Sequence, residues 1–151
     1  MALENSPCKT RLDDLLAKLK SAGHRITPQR LAIVRILIDS GEHPSVEQIY
    51  RRVRKDFPTT SLATVYNTLE RLKEMGEVLE LTLSGGSRYD GRNPSPHSHL
   101  RCTVCGAIED LEIDLGPAAE TVAAARGYAD VQHRLEFFGV CPRCQGHEPS
   151  K

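Results

Sequence analysis

The chain has 151 residues, of which 39% are hydrophobic and 26% charged, a composition that fits one or two small globular domains and excludes a chain that is disordered throughout. It contains no Trp and 5% aromatic residues, so its core must be mainly aliphatic. Its 20 basic and 20 acidic residues cancel, so net charge neither predicts nor excludes nucleic-acid binding. Because no apolar run approaches the roughly 18 residues of a membrane span and no apolar secretory signal opens the chain, we expect a cytoplasmic protein without membrane contact.

Four amphipathic helices are predicted in the first half of the chain. Apolar residues recur there at spacings of three and four, the periodicity of a helix with one buried face. Side-chain caps at Thr27, Ser45 and Ser61 mark the starts of the second, third and fourth helices, and Pro28 and Gln48 strengthen two of them. The four helices are predicted to end near Gly23, Gly41, Phe57-Pro58 and Gly76.

A β-hairpin is predicted after Gly76, where the period of the pattern changes. Apolar and polar residues alternate from Leu79 to Leu83, Gly85-Gly86 can turn the chain, and residues 87–89 can return as the partner strand. Helices followed by a hairpin are the element order of a winged helix-turn-helix domain, in which the helix before the hairpin reads the DNA major groove. We therefore predict a winged-helix DNA-binding domain over residues 1–84, with 61–75 as its reading helix.

The predicted reading helix carries polar side chains opposite its apolar stripe. Thr64, Asn67 and Arg71 can hydrogen-bond phosphates or base edges, and Tyr66 can contact a thymine methyl group. A solvated helix face would show the same pattern of polar residues. What favours DNA contact is the position of this helix directly before a hairpin.

A hinge and a smaller second domain are predicted in the second half. Residues 85–96 include Gly, Asn and two Pro, and we expect them to end the wing and form the hinge. Strands are then predicted at 97–101, 107–113 and 131–140, with an Ala-rich helix over 117–126 that Gly127 stops. This order predicts a small α+β domain over residues 97–151.

Two identical Cys-x-x-Cys turns give the strongest chemical signal. Cys102 and Cys105 form the first turn, and Cys141 and Cys144 form the second. Two such turns supply the four thiolates of a tetrahedral zinc site, which would staple a domain with a small core. The alternative is four reduced thiols packed as small hydrophobic residues. Cys8 is left over, and we expect no role for it.

His97 and His99 stand two residues apart, just before the first cysteine pair. On a strand this spacing places both imidazoles on the same side, where they could bind one ion, with Asp90 and Asp110 as further candidates. A mixed imidazole and carboxylate site favours Fe(II), Mn(II) or Zn(II), whereas the alternative is a pair of solvated loop histidines. His43 stands alone in the sequence, which by itself predicts a surface residue.

Six stretches together form a recognisable series. They are RITPQR at 25–30, HPSVEQIY at 43–50, SLATVYNTL at 61–69, RYD at 88–90, HSHLRCTVCG at 97–106 and GVCPRC at 139–144. In these stretches the chain resembles the ferric uptake regulator family of bacterial metal-dependent repressors, with the stretches in family order.

The resemblance implies a homodimer in which each subunit joins an N-terminal winged helix to a C-terminal α+β dimerisation domain, and in which the four cysteines hold structural zinc. It also implies a regulatory site, where Fe(II) or Mn(II) is bound by His43, Asp90, His97, His99 and Asp110. Arg25 matches a basic family position that reaches the DNA minor groove. An ion held by both domains would set the separation of the two reading helices and so control operator affinity.

Aspartates at positions 90 and 110 are similar to the peroxide-sensing branch of the family, whereas the iron-sensing branch commonly has glutamates there. The similarity implies that bound Fe(II) reacts with hydrogen peroxide and that His43 and His97 are oxidised, which releases the metal and then the DNA. The alternative within the family is an iron-responsive or other metal-responsive repressor.

Two further alternatives lie outside the family. One is a zinc enzyme, which is disfavoured because no His-x-Glu adjoins the first cysteine pair and the chain has no His-Glu-x-x-His. The other is a zinc-binding module that does not contact DNA. We predict a transcriptional repressor without enzymatic activity.

Overall fold

The computed structural model describes residues 7–83 and 85–146, apart from the side chains of residues 7–9, so the thiol of Cys8 lies outside the described part. Contacts divide the chain into two compact units, one up to Ser95 and one from Pro96 onward. The first unit contains α1 (Pro7–Ser21), α2 (Pro28–Asp39), α3 (Val46–Asp56), α4 (Leu62–Glu74), β1 (Leu79–Leu83) and β2 (Gly86–Asp90). The second contains β3 (Ser98–Cys102), β4 (Ile108–Leu111), α5 (Ala118–Arg126) and β5 (Glu136–Gly139).

The helices of the first unit begin at the predicted caps. Thr27 precedes α2 and accepts the amide of Arg30 at its side-chain oxygen, and Ser45 and Gln48 form both bonds of the capping box of α3. Ser61 caps α4. These bonds satisfy amide donors that have no partner within the helix. The three predicted helix starts are confirmed.

The core of the first unit is aliphatic, as the composition requires. Each helix contributes at least one side chain that is essentially inaccessible to water, and Tyr89 of β2 adds one aromatic ring. Burying one such aliphatic side chain stabilises the fold by roughly 1.5–3 kcal/mol. The fully buried members include Leu15, Ile33, Leu37, Ile49 and Leu69.

The predicted wing is also confirmed. β1 and β2 pair in antiparallel register from Leu79 opposite Asp90 to Leu83 opposite Gly86. Asp90 therefore lies at the base of the hairpin, where β2 meets the body of the unit. Its neighbour Gly91 packs so closely that a Cβ atom there would lie 2.8 Å from Cβ of Leu37.

Buried Glu77 links α1 to the segment before β1. Its carboxylate lies 2.6 Å from Nη1 of Arg11 and 2.9 Å from Nζ of Lys18, and Arg11 also donates to the carbonyl of Gly91. Burial raises the pKa of Glu77, but the hydrogen bonds from Lys18 and Arg11 outweigh it and hold the pKa below its ordinary value of 4.5. Glu77 is therefore a stabilising carboxylate at neutral pH.

We expect Glu77→Gln to lower the free energy of unfolding at pH 7 by about 1.5–3 kcal/mol, the range for hydrogen bonds to a charged group. Because the folded pKa is the lower one, the contribution is fully present above the unfolded value of about 4.5 and is lost as pH falls through the folded value. Urea unfolding of Glu77→Gln and wild type should therefore converge in acid. Glu47→Gln, on an exposed residue of α3, is the control, and a gap that persisted in acid would contradict the prediction.

The second unit is a three-stranded sheet with one helix. Its strand order is β4-β3-β5, with β3 antiparallel to β4 and parallel to β5. The helix α5 ends at Gly127 in the left-handed conformation, as predicted. The strand predicted over 131–140 is wrong in extent, because β5 pairs with β3 over four residues, 136–139.

This second unit has almost no apolar core of its own. Within its described part, Cys102 and Ile108 are the buried hydrophobic side chains, and α5 buries none. A unit with so little buried apolar surface needs a further source of stability, such as a metal ion or a partner chain. Among the residues described, no helix has the length and hydropathy to cross a bilayer.

Candidate metal centres and DNA-reading helix

The four cysteine sulfurs of the second unit converge on one point. Strands β3 and β5 run parallel, so the two Cys-x-x-Cys turns emerge from the same end of the sheet. All four Sγ atoms lie within 4.8 Å of one another, and those of Cys105 and Cys141 are 3.8 Å apart. A tetrahedron with Zn–S bonds of about 2.3 Å has sulfurs about 3.8 Å apart. The cluster therefore fits one structural zinc ion, with Cys102 and Cys144 as its other ligands.

The electrostatics of this cluster suit a cation. Amide groups of Cys105 and Cys141 donate to Sγ of Cys102 over 3.5 and 3.3 Å, and these bonds lower the pKa of Cys102 to about 5. The neighbouring side chain of Cys141, with burial, raises the pKa of Cys144 to about 12. Four thiols this close cannot all ionise without a positive charge between them, which a divalent ion supplies.

In the first unit, His43 and Asp90 form a buried pair at the base of the wing. His43 lies in the loop before α3, and its Nε2 atom is 3.3 Å from Oδ2 of Asp90 at the end of β2. The amides of Arg92 and Asn93 donate to the other carboxylate oxygen, Oδ1. Burial raises the pKa of Asp90, but the hydrogen bonds from His43 and these amides outweigh it and hold the pKa below its usual value. His43 is 5% exposed, so the surface position that its local sequence predicts is wrong.

In the second unit, His97, His99 and Asp110 form a further cluster. His99 of β3 pairs with Asp110 of β4, and Asp110 Oδ1 lies 3.0 Å from Nε2 of His97 and 3.6 Å from Nε2 of His99. The two imidazole centroids are 4.2 Å apart, on the same side as predicted, although His97 just precedes the strand. Metal–ligand bonds of about 2.1 Å place neighbouring donor atoms about 3 Å apart. These side chains therefore fit a shared cation better than they fit a solvated histidine pair.

The exposed face of α4 carries the predicted reading side chains. Tyr66 is 44% exposed, and Asn67 and Arg71 are also exposed, opposite the buried stripe of the helix. Thr64 is half-buried, and its hydroxyl shares a hydrogen bond of 2.9 Å with Oγ of the cap residue Ser61. Tyr66, Asn67 and Arg71 therefore have the access that DNA contact requires, whereas Thr64 has less of it.

Two arginines complete the description of the first unit. Arg25 is exposed in the turn between α1 and α2, and its carbonyl accepts a hydrogen bond from Arg30. Arg88 of β2 belongs to the RYD stretch, but no role of its own was predicted for it from the sequence. Its guanidinium donates to the carbonyls of His43 and Glu42. The sequence signal for a role of Arg88 is its position two residues before the candidate ligand Asp90 on the same strand.

The comparison with known families decides the classification. A model of the ferric uptake regulator family matches residues 21–138. The chain belongs to the ferric uptake regulator family. This membership confirms the resemblance stated from the sequence, and with it the predicted fold of a winged helix followed by a small α+β domain and the class of metal-responsive regulator.

Individual relatives within the ferric uptake regulator family are similar over nearly the whole chain. The peroxide-responsive repressor PerR of Staphylococcus aureus strain USA300 is 40% identical over 146 residues, which cover 96% of this chain and 99% of that protein. The solved ferric uptake regulator of Helicobacter pylori, described as having three functional metal-binding sites, is 26% identical with a TM-score of 0.75, covering 99% of this chain and 100% of that one. The peroxide stress regulator of Campylobacter jejuni is 32% identical with a TM-score of 0.65, covering 88% and 98%.

Proposed function

We propose that this protein is a metal-dependent, sequence-specific transcriptional repressor that binds operator DNA as a homodimer and senses peroxide. The observation that carries the proposal lies within one folded unit. The first unit presents an exposed α4 beside a β-hairpin wing and also holds the buried His43–Asp90 pair at the base of that wing. A reading surface and a potential metal half-site therefore share one rigid scaffold.

We assign the regulatory ion to ligands from both units, with His43 and Asp90 from the first and His97, His99 and Asp110 from the second. Each group by itself has donor separations that suit one cation, between 3.0 and 3.6 Å. An ion that takes ligands from both groups would restrict the hinge and so the placement of the reading helix. Imidazole and carboxylate ligands favour Fe(II) or Mn(II) for this role, whereas the all-sulfur cluster favours Zn(II).

Dimerisation is supported by the surface of the second unit. Val104, Tyr128 and Phe138 are each at least 59% exposed, in a unit whose described part buries few apolar side chains of its own, so apolar area remains that a partner chain could cover. A second copy of the chain would cover such a surface and bring two reading helices to one operator with two half-sites. We propose that such a DNA-binding protein acts in the cytoplasm, where bacterial DNA lies. The operator contacts proposed for each subunit are Arg25, Thr64, Tyr66, Asn67 and Arg71.

Peroxide sensing is favoured over iron sensing by the two aspartates and by the identity with the Staphylococcus aureus relative, which is named a peroxide-responsive repressor. When bound, Fe(II) makes hydrogen peroxide reactive toward adjacent imidazoles, and we propose His43 and His97 as the residues modified. An iron-responsive repressor is the second candidate, because the same five ligands would also bind Fe(II) reversibly. We propose no enzymatic activity, since one zinc ion would use all four cysteines and have no open position.

The DNA-binding part of this proposal predicts metal-dependent operator binding. We expect the protein to shift a palindromic AT-rich duplex with Mn(II) and not without it, and the affinity to fall steeply with salt because phosphate contacts release counterions. Asp110→Asn should require at least roughly tenfold more Mn(II), the scale of a lost metal-site partner. Asp114→Asn, an exposed aspartate after β4, is the matched control. Gel-shift titration gives both results, and binding that is absent or independent of metal would count against a metal-dependent repressor.

A further inference from the structure

The loop that carries His43 is held against strand β2 by three hydrogen bonds. Nε of Arg88 donates to the carbonyl of His43, and Nη2 of Arg88 donates to the carbonyl of Glu42 over 3.0 Å. The amide of Tyr89 donates to the carbonyl of Pro44 over 3.0 Å. Two adjacent residues of the wing therefore hold the three consecutive carbonyls of residues 42–44.

The backbone of His43 needs such support. Its φ angle is +42°, in the left-handed region that is unfavourable for a residue with a Cβ atom. This conformation points the imidazole inward, where it is buried with Nε2 3.3 Å from Oδ2 of Asp90. A change to negative φ at position 43 would redirect the Cα–Cβ bond of His43 and so change the position of its ring relative to Asp90.

The residue that holds the loop and the residue that faces His43 belong to the same strand. Arg88 and Asp90 are two residues apart on β2, and side chains two apart on a strand project from the same face. The position of His43 relative to Asp90 is therefore set by one short piece of β2.

We propose that Arg88 is a positioning residue for the regulatory ion, an inference that rests on the metal site proposed above. Its guanidinium fixes the backbone of residues 42 and 43 and so presents His43 and Asp90 as a preformed pair of ligands. Two donors in a rigid fork are needed to hold two consecutive carbonyls, and the single ammonium of a lysine cannot reproduce that fork. Arg88 thus links the wing directly to a metal ligand.

Mn(II) affinity of the full-length, zinc-loaded protein tests this role, measured from the electron paramagnetic resonance signal of free Mn(II). Arg88→Gln and Arg88→Lys should both weaken Mn(II) binding by roughly 10- to 100-fold, as is typical when a partner that orients a metal ligand is lost. Arg52→Gln is the matched control, because Arg52 contacts the same loop through the side chain of Glu42 and not through its backbone. It should bind Mn(II) like wild type.

A second readout separates positioning from a general structural or DNA-contacting role. At saturating Co(II), both Arg88 variants should change the visible absorption bands that report coordination geometry, while Arg52→Gln leaves them unchanged. Two outcomes would overturn the proposal. One is an Arg88→Lys protein with wild-type Mn(II) affinity and a wild-type Co(II) spectrum, because a positive charge alone would then suffice. The other is an Arg88→Gln protein with unchanged Mn(II) affinity. If wild type itself binds no Mn(II) at this site, the proposed metal site fails too, so the two failures are distinguishable.

Discussion

Cys105→Ser should lose one zinc ion per chain and unfold the second unit while the first remains folded. Cys105 is exposed, so its replacement by serine removes little packing, and a large effect must come from the lost metal ligand. Structural zinc contributes roughly 10–16 kcal/mol of apparent binding energy in small domains. That exceeds the roughly 3–5 kcal/mol that a core of this size can supply, and in the described part of the second unit two apolar side chains are buried.

Zinc content, limited proteolysis and thermal unfolding would check this prediction together. We expect rapid cleavage beyond Pro96, with a protected fragment that contains the aliphatic core of α1 to α4. Cys8→Ser is the matched control, because it makes the same change at the cysteine that belongs to neither Cys-x-x-Cys turn, and it should retain both zinc and the second unit. A Cys105→Ser protein with full zinc and an intact second unit would contradict the structural role.

Exposure of the Fe(II)-loaded protein to one equivalent of hydrogen peroxide should modify one ligand histidine, His43 or His97, and abolish operator binding. In the expected reaction a ring carbon of one imidazole gains one oxygen atom. The other peroxide oxygen leaves as water, so the imidazole loses two electrons and the peroxide is reduced. A modified ring is a weaker ligand, and losing it would free the hinge. Anaerobic loading followed by peptide mass spectrometry and a gel shift would measure both effects.

The other histidines make this experiment selective. His133 is exposed, whereas His43 is buried, so oxidants free in solution should modify His133 first. Addition of oxygen to His43 or His97, with His133 unmodified, would therefore identify a reaction at a bound ion. The Mn(II)-loaded protein should remain unmodified. An Fe(II)-loaded protein that stays unmodified and still follows the iron level would instead be an iron sensor.

Local patterns in the sequence were sufficient for most of the architecture. The caps at Thr27, Ser45 and Ser61 predicted three helix starts, and the change of period after Gly76 predicted the wing, because caps and periodicity act within a few residues. The extent of β5 could not be predicted in this way. An apolar run becomes a strand only where a partner strand is available, and β3 pairs with β5 over four residues.

For the candidate site, the sequence by itself determined the chemistry of the ligands. Two Cys-x-x-Cys turns and a His-x-His pair predicted two kinds of metal site, because ligand type and short spacing are local properties. Only the tertiary structure decided where His43 lies, in a strained loop held by Arg88 against Asp90, 47 positions along the chain. Glu77 reaches Arg11 in the same way, across 66 positions. Contacts of this range depend on how helices and strands pack, and no local pattern encodes that packing.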